Sequence, residues 1–486
     1  MPRLGRALRS TLLVIAIAYL AAFVFVAFKR ALHPFELEWM EGAMVDHVER
    51  VLRGQPLYVE PTIDFVPFIY GPLYYWASAV VAKVVGLSFL PLRIVSILSA
   101  LGAFAFIHAI VARETEDRTI GVVAAGAFAA SYAKSAQFLD ICRVDSLSLV
   151  TSLAAVHVMR NLRARRGYWL LGAAMLGLSF LAKQSSFLLA LALIAHEAWV
   201  ERRRAIPFVV ATLASTLGVA AILDWSSQGW FRYYTWELPR AHAIVKQSYV
   251  GFWTDDLFPA YAIAGVFAVY FLVAARPRRD GARLFHLMAA GGLVACAWTG
   301  RLHDGGWPNV LIPAFAALSV LLGIGLGEAL RAIDDRDPRL SAFVSVAALL
   351  QLLVLAWDPK RMLPTKSDAR LGWALIEKLK AAPGDVFVPN HSWYARMAGK
   401  PAHAHRMAID DVFRGDPYEE GAKLSVALRS ALARKKWAMV MLDDDFYERE
   451  ARGTYDLVAP PFPTQDGFFP VTGIHVRPQK TLIARP

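Results

Sequence analysis

The stretch FELEWMEG, residues 35 to 42, places three carboxylates, Glu36, Glu38 and Glu41, just after the apolar run TLLVIAIAYLAAFVFVAF (11–28). Glu38 and Glu41 are three residues apart and share a face if the segment is helical, whereas Glu36 points elsewhere. Paired carboxylates suit a general base, or a divalent cation that both would hold. The competing reading is a solvated helix start, where acids favour the N-terminal dipole. Cations recur beside other apolar runs: Arg93 in PLRIVS, Arg143 between Asp140 and Asp145 in LDICRVDS, and Lys183 inside LSFLAKQSSFLLAL. Ionisable groups at membrane depth are expensive unless paired or functional. An Arg143 pair with Asp140 or Asp145 would merely join two helices, whereas Lys183 would serve as a fixed cation for a phosphate. Tyr58, Tyr70, Tyr74, Tyr75 and Trp76 fit the membrane–water belt and would also line a groove for a lipid chain or sugar ring.

The elements that must position these residues are apolar helices. Of 486 residues 56% are hydrophobic and 19% charged, and the mean hydropathy is +0.40, which describes a polytopic α-helical membrane protein. Eleven spans are predicted, at 11–28, 92–111, 119–137, 145–159, 168–182, 184–199, 206–223, 257–274, 284–299, 310–327 and 340–357. The first reads as an uncleaved span rather than a signal peptide, its apolar core being longer than an h-region. PLYYWASAVVAKVVGL (72–87), with Lys83 inside it, is short for a span and fits a helix lying in the interface.

Loop charge sets the orientation. If 72–87 does not cross, NLRARRG, ERRRA, ARPRRDGAR and RAIDDRDPR face the cytoplasm, as basic short loops do; the N-terminus is then cytoplasmic and the C-terminus outside. FELEWMEG, Arg93, LDICRVDS, Lys183, the loop 224–256 with Arg232, Arg240 and Lys246, and GRLHDGGWPN with Arg301 and His303 then share the outer face. The formal charge of +12 follows from this loop pattern and from anionic headgroups, so no nucleic-acid partner is implied. Cys142 and Cys296 both lie beside apolar segments and imply neither a disulfide framework nor a thiolate metal site.

After Trp357 the pattern changes. LGWALIEKLKAA and KLSVALRSALARKK read as helices, DVFVP and WAMVML as strands, giving a small C-terminal α/β extracytoplasmic domain over 358–486 beside a membrane domain over 1–357. Asp443 to Asp445 follow the second strand, a usual ligand position in an open sheet. His391, His403 and His405 are scattered as structural histidines are. No P-loop, dinucleotide fingerprint, HExxH or internal repeat is present, and no motif calls for a cofactor beyond a divalent cation at the carboxylates.

With its basic start and first span, acidic first outer loop (ELEWMEG), RGQPLY, YGPLYYW, PLRIVS, CRVDSLSL and FLAKQSSFLLA, the chain resembles bacterial members of the GT-C glycosyltransferase superfamily. That group includes the protein O-mannosyltransferases and the lipid A aminoarabinose transferases. The likeness covers roughly the first 200 residues. It implies inverting transfer of a sugar from a polyprenyl-phosphate carrier to a glycan, lipid or protein acceptor on the outer face of the cytoplasmic membrane. An acid of the first loop, Glu38 or Glu41, would be the base. Arg93, Arg143 and Lys183 would hold the donor phosphate, supported by Asp140, Asp145, Tyr70 and His303. Where many relatives carry Asp followed by Glu, or Asp, two residues and Glu-Gly, this chain reads Met40-Glu41 or Glu38-Trp-Met-Glu41-Gly42, so the choice of base is open. Where the lipid A enzymes carry an acidic-Lys-Pro stretch it reads Tyr70-Gly71-Pro72. The alternative, a non-catalytic transporter, predicts charges spread through the bilayer depth and repeat symmetry.

Overall fold

Each predicted span is helical over all or most of its length in the computed structural model, which describes residues 2–333, 337–462 and 467–486. The loop RAIDDRDPR includes residues 334–336, which lie outside the described residues. Helix α1 runs Pro2–Ala31, α2 Glu41–Leu52, α3 Leu73–Val85, α4 Phe89–Thr115, α5 Arg118–Ala130, α6 Asp145–Asn161, α7 Tyr168–Ala182 and α8 Phe187–Val200. Further apolar helices follow at Phe258–Val273, Ala282–Leu302, Ile312–Ile333 and Pro338–Val354. Among the described residues, seven helical stretches are both long and apolar enough to cross a bilayer: Ala7–Ala31, Phe89–Thr115, Ala205–Ser226, Ser248–Val273, Ala282–Leu302, Pro308–Ile333 and Pro338–Met362. The remaining predicted spans coincide with α5 to α8, which are shorter. The one expected at 119–137 stops at Ala130, and the chain then turns through Ala136 and Gln137, both at positive φ.

Local sequence sets the helix ends. Ser88 caps α4 by accepting the Leu90 N–H, and Asp117 caps α5 by accepting those of Thr119 and Ile120. The 13 residues of α3 rise only about 20 Å, too little for a bilayer core. Its Tyr74 and Tyr75 turn inward, and the Tyr74 hydroxyl donates to the Leu92 carbonyl at 2.8 Å, so α3 is fastened to the start of α4.

Two buried apolar cores result. One lies among the membrane helices and draws on α1, α4, α5 and Ile312–Ile333. The second takes Phe35, Met44, Val48, Phe68 and Tyr74 from the segment between α1 and α4 and Leu375, Ile409, Leu428, Trp437 and Met441 from the tail. The boundary expected at residue 357 therefore divides the chain, not the packing: loop 30–91, assigned by sequence to the membrane domain, shares its core with the tail.

The tail has a four-stranded sheet, β1 Val386–Phe387, β2 Met439–Leu442, β3 Tyr455–Val458 and β4 Lys480–Ala484, in the order β1-β2-β4-β3. β1 and β2 are parallel and the other pairs antiparallel, with Val386 beside Met439 and Val440 beside Leu482. The two predicted strands are β1 and β2. The two predicted helices are Lys366–Ala381, opened by a Thr365–Asp368 capping box, and Glu420–Ala433.

Ionisable residues are not confined to one end of the bundle. At the end opposite FELEWMEG, Glu114 of α4 binds Arg160 of α6 (Oε2 to Nη2, 3.1 Å), with His286 Nε2 3.2 Å from its other oxygen. This buried cluster braces helix ends.

Candidate functional site

The three loop carboxylates have three different fates. Glu41, the first residue of α2, is fully buried and uses both oxygens twice. Oε1 accepts Arg93 Nε at 3.1 Å and the Cys142 N–H at 2.7 Å; Oε2 accepts Arg93 Nη2 at 2.6 Å and the Leu37 N–H at 2.7 Å. Arg93 is equally committed. Beyond Glu41 it donates to the carbonyls of Arg30 (3.2 Å), His33 (2.5 Å) and Phe35 (2.6 Å), at and just after the end of α1. All five guanidinium N–H groups are thus engaged. Burial pushes the Glu41 carboxyl up, but Arg93 and the two backbone donors outweigh it and hold the group below its usual range. Nothing on Arg93 is left to meet a phosphate: the residue expected at the donor joins α1, α2 and α4.

Glu38 is buried as deeply but bound far less. Its Oε2 accepts the Met40 N–H at 3.2 Å and lies 3.5 Å from Arg143 Nη1. Burial raises its pKa to about 7, with Arg143 pulling the other way. Gly473 of the tail, at φ +75°, lies so close that a Cβ there would stand 3.1 Å from Glu38 Cγ. Arg143 Nη2 donates to the Tyr70 hydroxyl at 2.7 Å, and its Nη1 lies 2.8 Å from Met40 Sδ. Arg143 Nε is buried and finds no partner among the described residues. Tyr70 sits on the extended segment before α3, held because Gly71 approaches α7: a Cβ on Gly71 would be 2.1 Å from the Leu181 carbonyl oxygen.

Glu36 reaches the tail. It binds His391 Nδ1, and His391 Nε2 meets Asp443 Oδ2 at 2.9 Å. Burial works against the imidazolium, but the carboxylates of Asp443 and Glu36 overcome this and raise His391 to about 10. Neighbouring contacts extend the seam: Ser392 donates to Asp46, and Arg396 pairs with Glu49 at 2.8 Å. The loop acid expected to point away from the Glu38 and Glu41 face thus docks the tail, and of the scattered histidines His391 is a structural one. The 355-residue separation of Glu36 and His391 leaves no local sequence signal for the contact.

Asp140 pairs with Arg30 at 2.9 Å and accepts from the Tyr132 hydroxyl at 2.8 Å; Arg30 also donates to Thr472 Oγ1 at 2.7 Å. Asp140 therefore tightens the α1 end against the tail and makes no ion pair with Arg143. Lys183 Nζ lies 2.6 Å from Asp145 Oδ1, which also accepts from Asn309 Nδ2 at 3.0 Å. Lys183 and Asp145 line a cavity of about 20 Å³ with Ser148, Ser152 and Ser186, room for one water-sized group. His303 is not drawn to Glu38: it is half-buried and pairs through its backbone with Ile244. Among the described residues no group of three or more His, Cys, Asp or Glu side chains is placed to hold a metal ion, and the loop carboxylates face Arg93, Arg143 and His391 instead.

Residues 67–226 match the family model described as dolichyl-phosphate-mannose-protein mannosyltransferase. No curated protein matches the chain by sequence. Among solved structures the chain is similar to ArnT from Cupriavidus metallidurans bound to undecaprenyl phosphate, with a TM-score of 0.63 and 15% identity over 96% of this chain and 97% of that one. The apo state of the same protein gives 0.59 and 13% over the same shares. The Archaeoglobus fulgidus oligosaccharyltransferase in complex with Zn and sulfate gives 0.54 and 13%, over 89% of this chain and 67% of that one. At these identities the likeness is one of fold: the chain is a multi-pass membrane protein with the GT-C fold.

Proposed function

We propose that this protein is an inverting glycosyltransferase that moves a sugar from a polyprenyl-phosphate carrier to a cell-envelope acceptor on the outer face of the cytoplasmic membrane. Its N-terminus is cytoplasmic and its tail outside, in keeping with the basic loops. Glu38 is the base. The observation that carries this is the contrast within one turn of chain: Glu41 is saturated by Arg93 and two N–H groups, while Glu38 is buried, sparsely bound and raised to about 7. A base poised near neutrality takes a hydroxyl proton most effectively.

In this reading Glu38 removes the acceptor's proton as its oxygen bonds to the anomeric carbon. The bond from that carbon to the phosphate oxygen breaks on the opposite side, and the lipid phosphate leaves with the electron pair. A phosphate needs little protonation to depart, so cations serve it best. Arg143 with Tyr70 is assigned that task and Lys183 a place nearer Asp145, while Arg93 acts as a positioning residue. The family match over residues 67–226, which include Tyr70, Arg143 and Lys183, supports the reading, as does a fold shared with an undecaprenyl-phosphate-bound protein.

The test is donor turnover by purified protein in detergent with polyprenyl-phosphate sugars, followed as released polyprenyl phosphate. Loss of turnover in Glu38→Gln with an unchanged melting temperature is the expected result. Full activity in a folded Glu38→Gln protein removes Glu38 as base.

A further inference from the structure

A buried carboxyl of the tail has the unspent bonding capacity that marks Glu38 and Arg143. Asp411 lies on the helix Arg406–Gly415 and is 2% exposed, yet its Oδ1 finds no hydrogen-bond partner among the described residues. The nearest cations stop short of bonding: His242 Nε2 is 3.8 Å and Arg414 Nη1 4.0 Å from that oxygen. His242 Nε2 lies closer, at 3.3 Å, to the Asp411 carbonyl, so the outer loop grips the helix backbone and leaves the carboxyl oxygen free.

The helix that carries Asp411 starts beside the first loop: the His405 Nε2 lies 3.2 Å from the Trp39 carbonyl and the His405 ring packs edge-on against Phe68. Gln184 Nε2 donates to the carbonyls of Ile69 (2.8 Å) and Thr235 (3.1 Å), tying the Tyr70 segment to the outer-loop helix whose end carries His242. Asp411 lies within Coulombic range of both Arg143 and Tyr70. Two further buried atoms in the same quarter lack partners among the described residues: Arg143 Nε, and Asp145 Oδ2 on the far side of Arg143. A buried polar atom left unbonded is costly, and a ligand that bonds several of them at once removes that cost. The set combines acceptors with guanidinium N–H and a phenol, without three metal ligands together. That mixture matches a polyhydroxylated ring, whose hydroxyls both donate and accept.

We infer that Asp411 is a sugar-contacting residue of this site, its free carboxyl oxygen accepting a ring hydroxyl of the donor sugar whose phosphate Arg143 and Tyr70 hold. The inference rests on the donor reading given above and adds to it that the tail helps select the sugar.

The experiment compares binding of undecaprenyl phosphate alone with its mannosyl, glucosyl, galactosyl and arabinosyl conjugates, by the full chain in detergent, for wild type, Asp411→Asn and Asp411→Leu. Wild type is expected to bind at least one conjugate more tightly than undecaprenyl phosphate. Asp411→Leu is expected to weaken that conjugate about tenfold to a hundredfold, and Asp411→Asn, which keeps an acceptor but no charge, by less. Binding of undecaprenyl phosphate alone stays unchanged, and the melting temperature holds or rises because an unbonded buried carboxyl is gone. Equal weakening of both ligands with a lowered melting temperature marks a structural residue and overturns the inference. So does unchanged discrimination, as expected if Asp411 holds only water. If wild type binds undecaprenyl phosphate but no conjugate more tightly, the sugar subsite fails and the phosphate reading stands. If it binds none of them, the donor reading itself falls.

Discussion

Two carboxylate–arginine pairs three residues apart divide structure from chemistry. Glu41 and Arg93 exhaust each other's bonding capacity together with backbone groups from the end of α1, and neither is exposed. Glu38 and Arg143 are similarly buried, but they stand 3.5 Å apart, and Arg143 keeps an unbonded Nε. The first pair resembles a rivet, the second a socket. Burial alone does not mark a catalytic acid; unspent bonding capacity does, because only such a group gains by meeting substrate.

The sharpest way to break the comparison is Glu38→Gln, expected to lower turnover by about 10²- to 10⁴-fold, the usual worth of a general base. The same change is expected to leave stability at pH 8 unchanged or improved. A carboxyl whose folded pKa is raised from 4.5 to about 7 makes the fold less stable as pH rises through that window, and the amide never ionises. Turnover assays and melting curves on one preparation check both halves.

Next in size is Arg93→Ala, expected to cost about 3–5 kcal/mol of stability by stranding the Glu41 charge in the protein. The double variant Arg93→Met, Glu41→Gln is expected to recover part of it in denaturation curves. A loss of activity with no loss of stability in Arg93→Ala would return Arg93 to the donor phosphate.

His391→Asn is expected to cost about 1–3 kcal/mol, because Glu36 and Asp443 then face each other without a cation. As His391 is raised from 6.5 to about 10, its contribution is complete below pH 6.5 and lost as pH climbs toward 10. The wild-type melting temperature, followed over that range, is expected to fall more steeply than the variant's. The smallest effect is on the pH–rate profile. If Glu38 must be ionised, kcat/KM falls about tenfold per pH unit below an apparent pKa near 7 and levels off above it. A profile flat from pH 5 to 8 would detach the chemistry from Glu38.

Much of this was legible in order along the chain. The apolar runs predicted where helices lie because span-length hydropathy needs no tertiary partner, and the short α3 was expected to stay in the interface. FELEWMEG, Arg93, Arg143 and Lys183 stood out because charge beside apolar sequence is costly wherever the chain goes. Their pairing was not legible. Arg143 was expected at the donor phosphate, with a pair to Asp140 or Asp145, its neighbours in sequence, as the competing reading. Instead Asp140 binds Arg30, Asp145 takes Lys183 and Asn309, and Arg143 is turned toward Glu38 and Tyr70. His303 was grouped with the site by shared outer-face placement, and its backbone pairs with Ile244, just after His242 in the chain.

The sequence by itself determined that the chain enters a membrane, that its acids and cations cluster in the loop after the first span and at nearby helix ends, and that a sheet-bearing tail follows. These depend on hydropathy and local periodicity, which act within a few turns of chain. Only the tertiary structure decided which of Glu38 and Glu41 is spent, that Glu36 docks the tail through His391, and that Asp411 is buried with an oxygen no described residue bonds. Those outcomes depend on which donors reach which oxygens once residues hundreds of positions apart share one core, and hydrogen-bond saturation is a property of that packing, not of residue type.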